Sequence, residues 1–261
     1  MTASPSDAQL GDAAAEFGTP LYVYNLPHVS RQVQRLRAAF PQAELFYAAK
    51  ANPCGAVLRL LAGHGLGAEV ISEGELARAL RAGIPPERVL LGGPRQDDGL
   101  VAAARQAGVG WVSLDNPGQA ERWAAQGGPE RLLVRLNPAL DPRTHEHLAT
   151  GAAASKFGLP LSETARVAER LGRRLEGFHV HIGSQITELA AYDEVFRQLE
   201  VLLERFPHAR TLDLGGGFAV PDFPLGAFAE KVGAFARGRR LLLEPGRFLV
   251  AESGVLLTRV L

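Results

Sequence analysis

The sequence has a single cysteine, Cys54, so no intrachain disulfide can form. Lysine is almost absent. Lys50, Lys156 and Lys231 are the only three, and arginine supplies the other 25 of 28 basic residues. With so few, a lysine in an apolar setting draws attention. An excess of one charge sign is also missing: 28 basic and 28 acidic residues balance to zero, which disfavours a polyanion-binding surface and makes nucleic acid an unexpected partner. No apolar run approaches the ~18–20 residues of a membrane span. The first twenty residues show neither a basic nor an apolar signal region, so a cytoplasmic setting is expected. What remains is a 261-residue chain that is 46% hydrophobic and 21% charged, a globular rather than a disordered composition.

From residue 44 onward, short apolar runs alternate with amphipathic stretches. The runs predict strands at Leu45–Ala49, Ala68–Ser72, Val89–Gly92, Trp111–Asp115, Leu132–Asn137, Gly177–Ile182, Thr211–Leu214 and Leu241–Glu244. A helical pattern follows each of the first seven, several with a closing glycine at Gly63, Gly83 or Gly108. Strands this uniformly apolar are covered on both faces. Eight such repeats imply an α/β fold, a (β/α)8 TIM-type barrel, for which ~250 residues is typical. A doubly wound open sheet is the alternative. Residues 1–43 stand outside the rhythm and read as a strand at Leu21–Tyr24 and a helix from Pro27 to Phe40. Residues 44–247 form the barrel. The apolar run Phe248–Leu261 reads as the start of a C-terminal β domain that is otherwise missing.

Functional residues of such barrels gather where strands end. Here those ends carry Lys50, Glu69, Glu73, Arg135-Leu136-Asn137, His179-Val180-His181-Ile182-Gly183-Ser184-Gln185, Asp213-Leu214-Gly215-Gly216-Gly217 and Glu244-Pro245-Gly246-Arg247. Lys50 closes a buried strand. Desolvation there lowers an amine's pKa and makes it a nucleophile, unless it pairs with Glu69 or Glu73. The three glycines offer backbone N–H groups to a phosphate, and Arg247 adds a forked donor. Glu244 ends an apolar strand and needs a cationic partner or hydrogen bonds, from a protonated ring nitrogen if a pyridine occupies the mouth, or from Arg247. His179 and His181 share one face and suit a metal pair, a ring-stacking imidazole or a hydrogen-bonded core. The strand ends supply few further metal ligands, so no metal is expected. His145, His147 and the segment Thr150–Gly158 occupy a loop longer than the ~12 residues usual in compact domains.

Together, Tyr47-Ala-Ala-Lys-Ala-Asn52, Ser72–Leu76, Thr150–Gly158 (TG-x4-SKFG), His181-Ile-Gly-Ser-Gln185, Gly215–Gly217 and Glu244-Pro-Gly-Arg247 resemble the fold-type III pyridoxal-phosphate (PLP) decarboxylases, whose barrel is alanine-racemase-like. The HIGSQ and SKFG forms are more similar to the diaminopimelate than to the ornithine group. The resemblance implies a PLP-dependent carboxy-lyase that converts meso-2,6-diaminopimelate to L-lysine and CO2 in lysine biosynthesis. It implies that Lys50 forms an aldimine with PLP and that His181 stacks on the ring, both catalytic. Glu244 would bind the ring nitrogen. Ser184, Gly215, Gly216, Gly217 and the backbone at Gly246 and Arg247 would hold the phosphate, with Arg247 also near substrate, and Glu69, Arg135 and Pro245 would complete the cofactor site. It further implies a small amino-acid substrate and a homodimer in the complete protein, with the catalytic acid in the C-terminal region. Glu69 stands where the family usually has aspartate, and Gly92-Gly93-Pro94-Arg95-Gln96 replaces a segment that usually ends in lysine. The alternatives are a PLP decarboxylase for another amino acid or a carrier-bound one, a non-catalytic PLP-binding barrel, and a metal-dependent hydrolase built on His179 and His181.

Overall fold

Helix α1 (Asp7–Phe17) begins at a capping box, in which Ser6 and Gln9 satisfy each other's backbone donors. Strand β1 (Leu21–Tyr24) leads to α2 (Leu26–Ala39), where Asn25 caps the N-terminus by accepting the His28 N–H at 3.2 Å. Spacing along α2 brings Val29, Val33 and Leu36 onto one buried stripe. The computed structural model describes residues 5–125, 127–140 and 156–260. His145, His147 and the first part of the Thr150–Gly158 motif therefore lie outside the described residues.

Eight parallel strands close into a barrel in chain order: β2 (Glu44–Ala48), β3 (Gly67–Val70), β4 (Val89–Leu91), β5 (Trp111–Leu114), β6 (Arg131–Leu136), β7 (Leu175–Val180), β8 (Thr211–Asp213) and β9 (Arg240–Leu243). The ring closes where Leu45 of β2 pairs with Leu243 of β9. Each strand lies within two residues of its sequence expectation. The (β/α)8 reading therefore holds, and the open sheet is excluded. Helices α3 (Gly55–Gly63), α4 (Glu73–Arg81), α5 (Asp98–Ala107), α6 (Pro117–Ala125), α7 (Leu161–Leu171), α8 (Ala191–Arg205) and α9 (Leu225–Phe235) follow β2 to β8. Gly83 and Gly108 take left-handed positions at the ends of α4 and α5. Gly63 does not: α3 runs one residue further, and Gly65 makes the turn.

The eighth barrel helix comes from an unexpected place. Strand β9 is followed only by the four-residue α10 (Arg247–Val250), so α2 fills the gap by packing against both α3 and α9. Gln32 of α2 donates to the Phe248 carbonyl at 3.1 Å and fastens α10 beneath it. Phe248, Leu249 and Val250 are buried, so the run from Phe248 starts as part of the barrel wall. Beyond it, β10 (Gly254–Leu257) pairs antiparallel with β1 as a separate two-stranded sheet.

Side chains alternate across each barrel strand. Leu45 and Tyr47, Ala68 and Val70, Val112 and Leu114, Val134 and Leu136, and Phe178 and Val180 join the large core beneath the helices. The intervening residues fill the barrel. At the N-terminal end, Phe46, Leu90, Trp111, Leu133 and Leu242 form a separate apolar plug, with Phe46 and Trp111 edge to face at 6.5 Å. Gly67 is required there, because a Cβ at that position would lie 2.7 Å from the Phe46 ring. The Arg131 guanidinium lies 4.2 Å from the Trp111 ring centroid, and Arg240, paired with Glu44 at 3.2 Å, lies 5.4 Å from it. Replacing Trp111 with alanine opens this plug to a cavity. W111A is expected to cost about 3–5 kcal/mol, read as a lowered urea midpoint with an unchanged slope.

Candidate active site

The opposite end of the barrel is polar. A cavity of about 370 Å³ opens there, lined by Lys50, Glu69, Arg135, His179, His181, Ser184, Gly217, Glu244, Gly246 and Arg247 among others. Ile71, Phe157, Phe218 and Phe248 give it apolar walls. Alternation explains the cluster: Glu69, Ser113, Arg135, His179 and Asp213 occupy the inward positions one step above the plug.

Lys50 sits in a single helical turn, residues 49–51, just beyond β2. The next loop is fixed by Tyr47 Oη donating to the Asn52 carbonyl at 3.1 Å and by the Cys54 N–H donating to Asn52 Oδ1 at 3.0 Å. Gly246 packs close over this turn, since a Cβ there would lie 3.1 Å from Ala48 Cβ and 3.2 Å from Ala51 Cβ. The amine forms a tight ion pair with Glu69, the partner left open by the sequence reading. This corrects the expected direction of its titration. Burial alone lowers the Lys50 pKa, but the charges of Glu69 and Glu244 and the hydrogen bond to Glu69 outweigh it, and the pKa rises. The ion pair with Glu69 thus holds the amine in its protonated form.

Two histidines face inward from β7 and the residues after it. His181 Nδ1 accepts the Gly216 N–H at 3.2 Å, which leaves the ring proton on Nε2. Burial, with Arg135 and Lys50 nearby, pushes its pKa down to about 3, so the imidazole is neutral. His179 Nδ1 lies 2.6 Å from Ser113 Oγ, and its Nε2 faces Glu244 Oε2 at 3.8 Å. Burial, then Arg135, His181 and Lys50, hold its pKa far below the ordinary imidazole value.

Arg135 pairs with Asp115 at 3.3 Å and lies 4.9 Å from the Phe157 ring centroid. Asp115 Oδ1 also accepts the Gly158 N–H at 2.9 Å. The described end of the SKFG segment is thus tied to the strand that carries Arg135.

The glycine run does less for an anion than its composition implies. Gly215 N–H donates to Asp213 Oδ1 at 2.9 Å and Gly216 N–H to His181, so neither is available. Neither residue lines the cavity, nor does Pro245, whose carbonyl accepts the Ala48 N–H at 3.2 Å. Among the described residues the Gly217 N–H has no protein partner. Ser184 is brought beside Gly217 because the Ile186 N–H donates to the Gly217 carbonyl at 2.9 Å. Arg247 faces the same corner and makes no ion pair with Glu244, which removes that alternative for Glu244.

The sequence reading gave no role to Ser113, Asp115 or Asp213. Each is a polar residue inside an apolar strand or at its end, and that is the signal of an inward position.

Residues 26–251 match the family described as pyridoxal-dependent decarboxylase, pyridoxal binding domain. The chain belongs to this pyridoxal-dependent decarboxylase family. It is 40% identical to a diaminopimelate decarboxylase of Actinosynnema pretiosum subsp. auranticum, over 95% of this chain and 62% of that protein. It is also similar in structure to the diaminopimelate decarboxylase of Helicobacter pylori complexed with L-lysine (TM-score 0.88, 28% identity, 97% of this chain and 69% of that one). The lysine decarboxylase of Selenomonas ruminantium is a further likeness (TM-score 0.83, 28% identity, 96% and 68%). The chain thus spans under two thirds of the Actinosynnema protein.

As a family member it carries a cavity that fits the cofactor. Glu244 Oε1 is buried without a partner, the Lys50 amine stands across the mouth, and Gly217, Ser184 and Arg247 converge at a third corner. The neutral His181 gives the site a pH signature. Below the ordinary value near 6.5 the unfolded chain takes up a proton at this residue that the folded chain refuses until about pH 3. Stability from this residue is therefore present above pH 6.5 and lost as pH falls. Relative to His181→Gln, the unsubstituted chain is expected to lose about 1.4 kcal/mol per pH unit between pH 6 and 4 in denaturant titrations.

Proposed function

We propose that this barrel binds PLP through Lys50 and that the complete protein decarboxylates meso-2,6-diaminopimelate to L-lysine. The observation that carries the reading is the single cavity shared by Lys50 and the orphaned carboxyl of Glu244. When bound, PLP supplies an electron sink for the bonds at an amino acid's α-carbon, which is what loss of a carboxylate as CO2 needs.

Each residue then has a physical task. Glu69 accepts the proton that Lys50 Nζ must shed before the amine can attack an aldehyde. Glu244 Oε holds a proton, or a negative charge, opposite a ring nitrogen. His181 supplies a wall with no charge of its own, which leaves the positive charge to the ring. Arg247, Ser184 Oγ and the Gly217 N–H are the donors for a phosphate. Phe157, Phe218 and Phe248 line the cavity and would screen a bound cofactor from water.

The substrate assignment is supported by the 40% identity to a diaminopimelate decarboxylase and by the HIGSQ and SKFG segments. The departure at residues 92–96 does not argue against it. Gln96 is turned into the core, where it donates to the Ser113 carbonyl at 2.8 Å and accepts from Trp123 Nε1 at 2.8 Å. Arg95 is exposed and paired with Asp97 at 2.9 Å. Only the small residues Gly92, Gly93 and Pro94 of that segment reach the cavity. The homodimer of the complete protein rests on the family resemblance, and the cytoplasmic setting on the composition, with its single cysteine. Among the described residues no helix is long and apolar enough to cross a membrane.

Protein expressed from the full reading frame and loaded with PLP tests the reading. CO2 release is expected from meso-diaminopimelate and not from L-lysine or L-ornithine, and Lys50→Ala is expected to abolish it. Faster release from L-lysine or L-ornithine would assign the barrel to a different amino-acid decarboxylase. Borohydride reduction of the loaded protein should place the cofactor on Lys50, and label on Lys156 or Lys231 would overturn the site.

A further inference from the structure

Asp213 has no task in this scheme, yet the strand end that holds it is built around it. Its side chain is wholly buried at the inward position closing β8. Oδ1 accepts the Gly215 N–H, and Oδ2 has no partner among the described residues. A carboxyl oxygen of Asp213, one of Glu244 and a ring nitrogen of His179 lie within 4.8 Å of one another. Glu244 Oε1 and His179 Nε2 are likewise buried without partners. Three buried polar groups thus lie close together, each with an atom that lacks a hydrogen-bond partner among the described residues.

No cation compensates the two carboxyls at close range. Lys50 is taken by Glu69 and Arg135 by Asp115, and among the described residues no lysine or arginine pairs with Asp213 or Glu244. His179 cannot supply a charge, because its surroundings keep it neutral. Two buried carboxylates within 4.8 Å of each other without a counter-ion are too costly to coexist, whereas a single proton held by the pair removes one of the charges.

We propose that Asp213 is a positioning residue for Glu244: the two carboxyls share one proton, and the negative charge on Asp213 keeps that proton on Glu244, ready for a pyridine nitrogen. The last clause rests on the function proposed above. In the transfer, the Glu244 O–H bond breaks, its electron pair stays on the oxygen, and an N–H bond forms on the ring. The two carboxyls and the ring together carry one negative charge before and after. Titration agrees with this order. Burial raises Asp213 to about 6. Burial, then the charges of Asp213 and Glu69, raise Glu244 well above the ordinary carboxyl value, against the opposing charges of Lys50 and Arg135. His179 and His181 on the β7 side are neutral, and Asp115 is offset by Arg135. The same Asp213 fixes Gly215, so one side chain links the glycine turn to the carboxyl that meets the ring.

The test uses the cofactor-free chain, so it stands or falls apart from the substrate assignment. Infrared spectra recorded against pH should show a protonated buried carboxyl that persists at pH 7. Glu244→Gln should remove this band at pH 7, identifying its owner. Asp213→Asn retains an acceptor for Gly215 but removes the charge, and should lower the band's midpoint by about one pH unit or more, a tenfold loss of proton affinity. If D213N does not fold, D213S gives the same reading. An unchanged midpoint in the variant that folds, a band that survives E244Q, or a band abolished by stoichiometric Zn2+ would each overturn the proposal. The zinc result would make the three-residue cluster a metal site.

Discussion

The alternation of side chains across a closed ring of parallel strands is the constraint on which the rest depends. Once β2 and β9 pair, every second residue must face the enclosed space inside the ring. Phe46, Leu90, Trp111, Leu133 and Leu242 fill one end of that space and seal it. One step further along the strands the same register presents Glu69, Ser113, Arg135, His179 and Asp213, with Glu244 just beyond β9. The plug and the site are thus two layers of one alternation, and a single-residue slip in any strand would exchange its polar inward residue for an apolar one.

Burying so many carboxyls and imidazoles around one mouth sets their states. Lys50 and Glu69 neutralise each other, as do Arg135 and Asp115, while Asp213 and Glu244 have only each other. Burial alone would lower the Lys50 pKa, but the neighbouring charges of Glu69 and Glu244 raise it. On the proposed function, the site waits with its amine masked by Glu69, the same carboxylate that would take its proton. The two histidines add shape and hydrogen bonds without adding charge.

Much of this was legible in the sequence, for physical reasons. Apolar runs of four to six residues followed by amphipathic stretches can be read without knowing the fold, so the eight strands and seven intervening helices were evident. The helix at residues 27–40 was legible as a helix. Its service as the eighth barrel helix was not, because that depends on the shortness of α10, 200 residues away. Helix α1 was missed, although Ser6 and Gln9 carry the spacing of a capping box. Lys50, Glu244 and Arg247 stood out because they end strands. Ser113, Asp115 and Asp213 gain meaning only when the ring closes and sets them behind the cavity residues His179, Arg135 and Glu244. The glycine run was legible as a turn. That two of its donors are already used is a tertiary fact, set by Asp213 and His181.

The central claim is that one cavity holds an aldehyde at Lys50 and a ring nitrogen at Glu244. A crystal structure of the protein with PLP tests it most directly. The account expects Lys50 Nζ bonded to the cofactor's aldehyde carbon, the ring nitrogen within hydrogen-bonding distance of Glu244, and the phosphate against Gly217 and Arg247. A cofactor attached to Lys156 or Lys231, or a ring nitrogen turned away from Glu244, would contradict it.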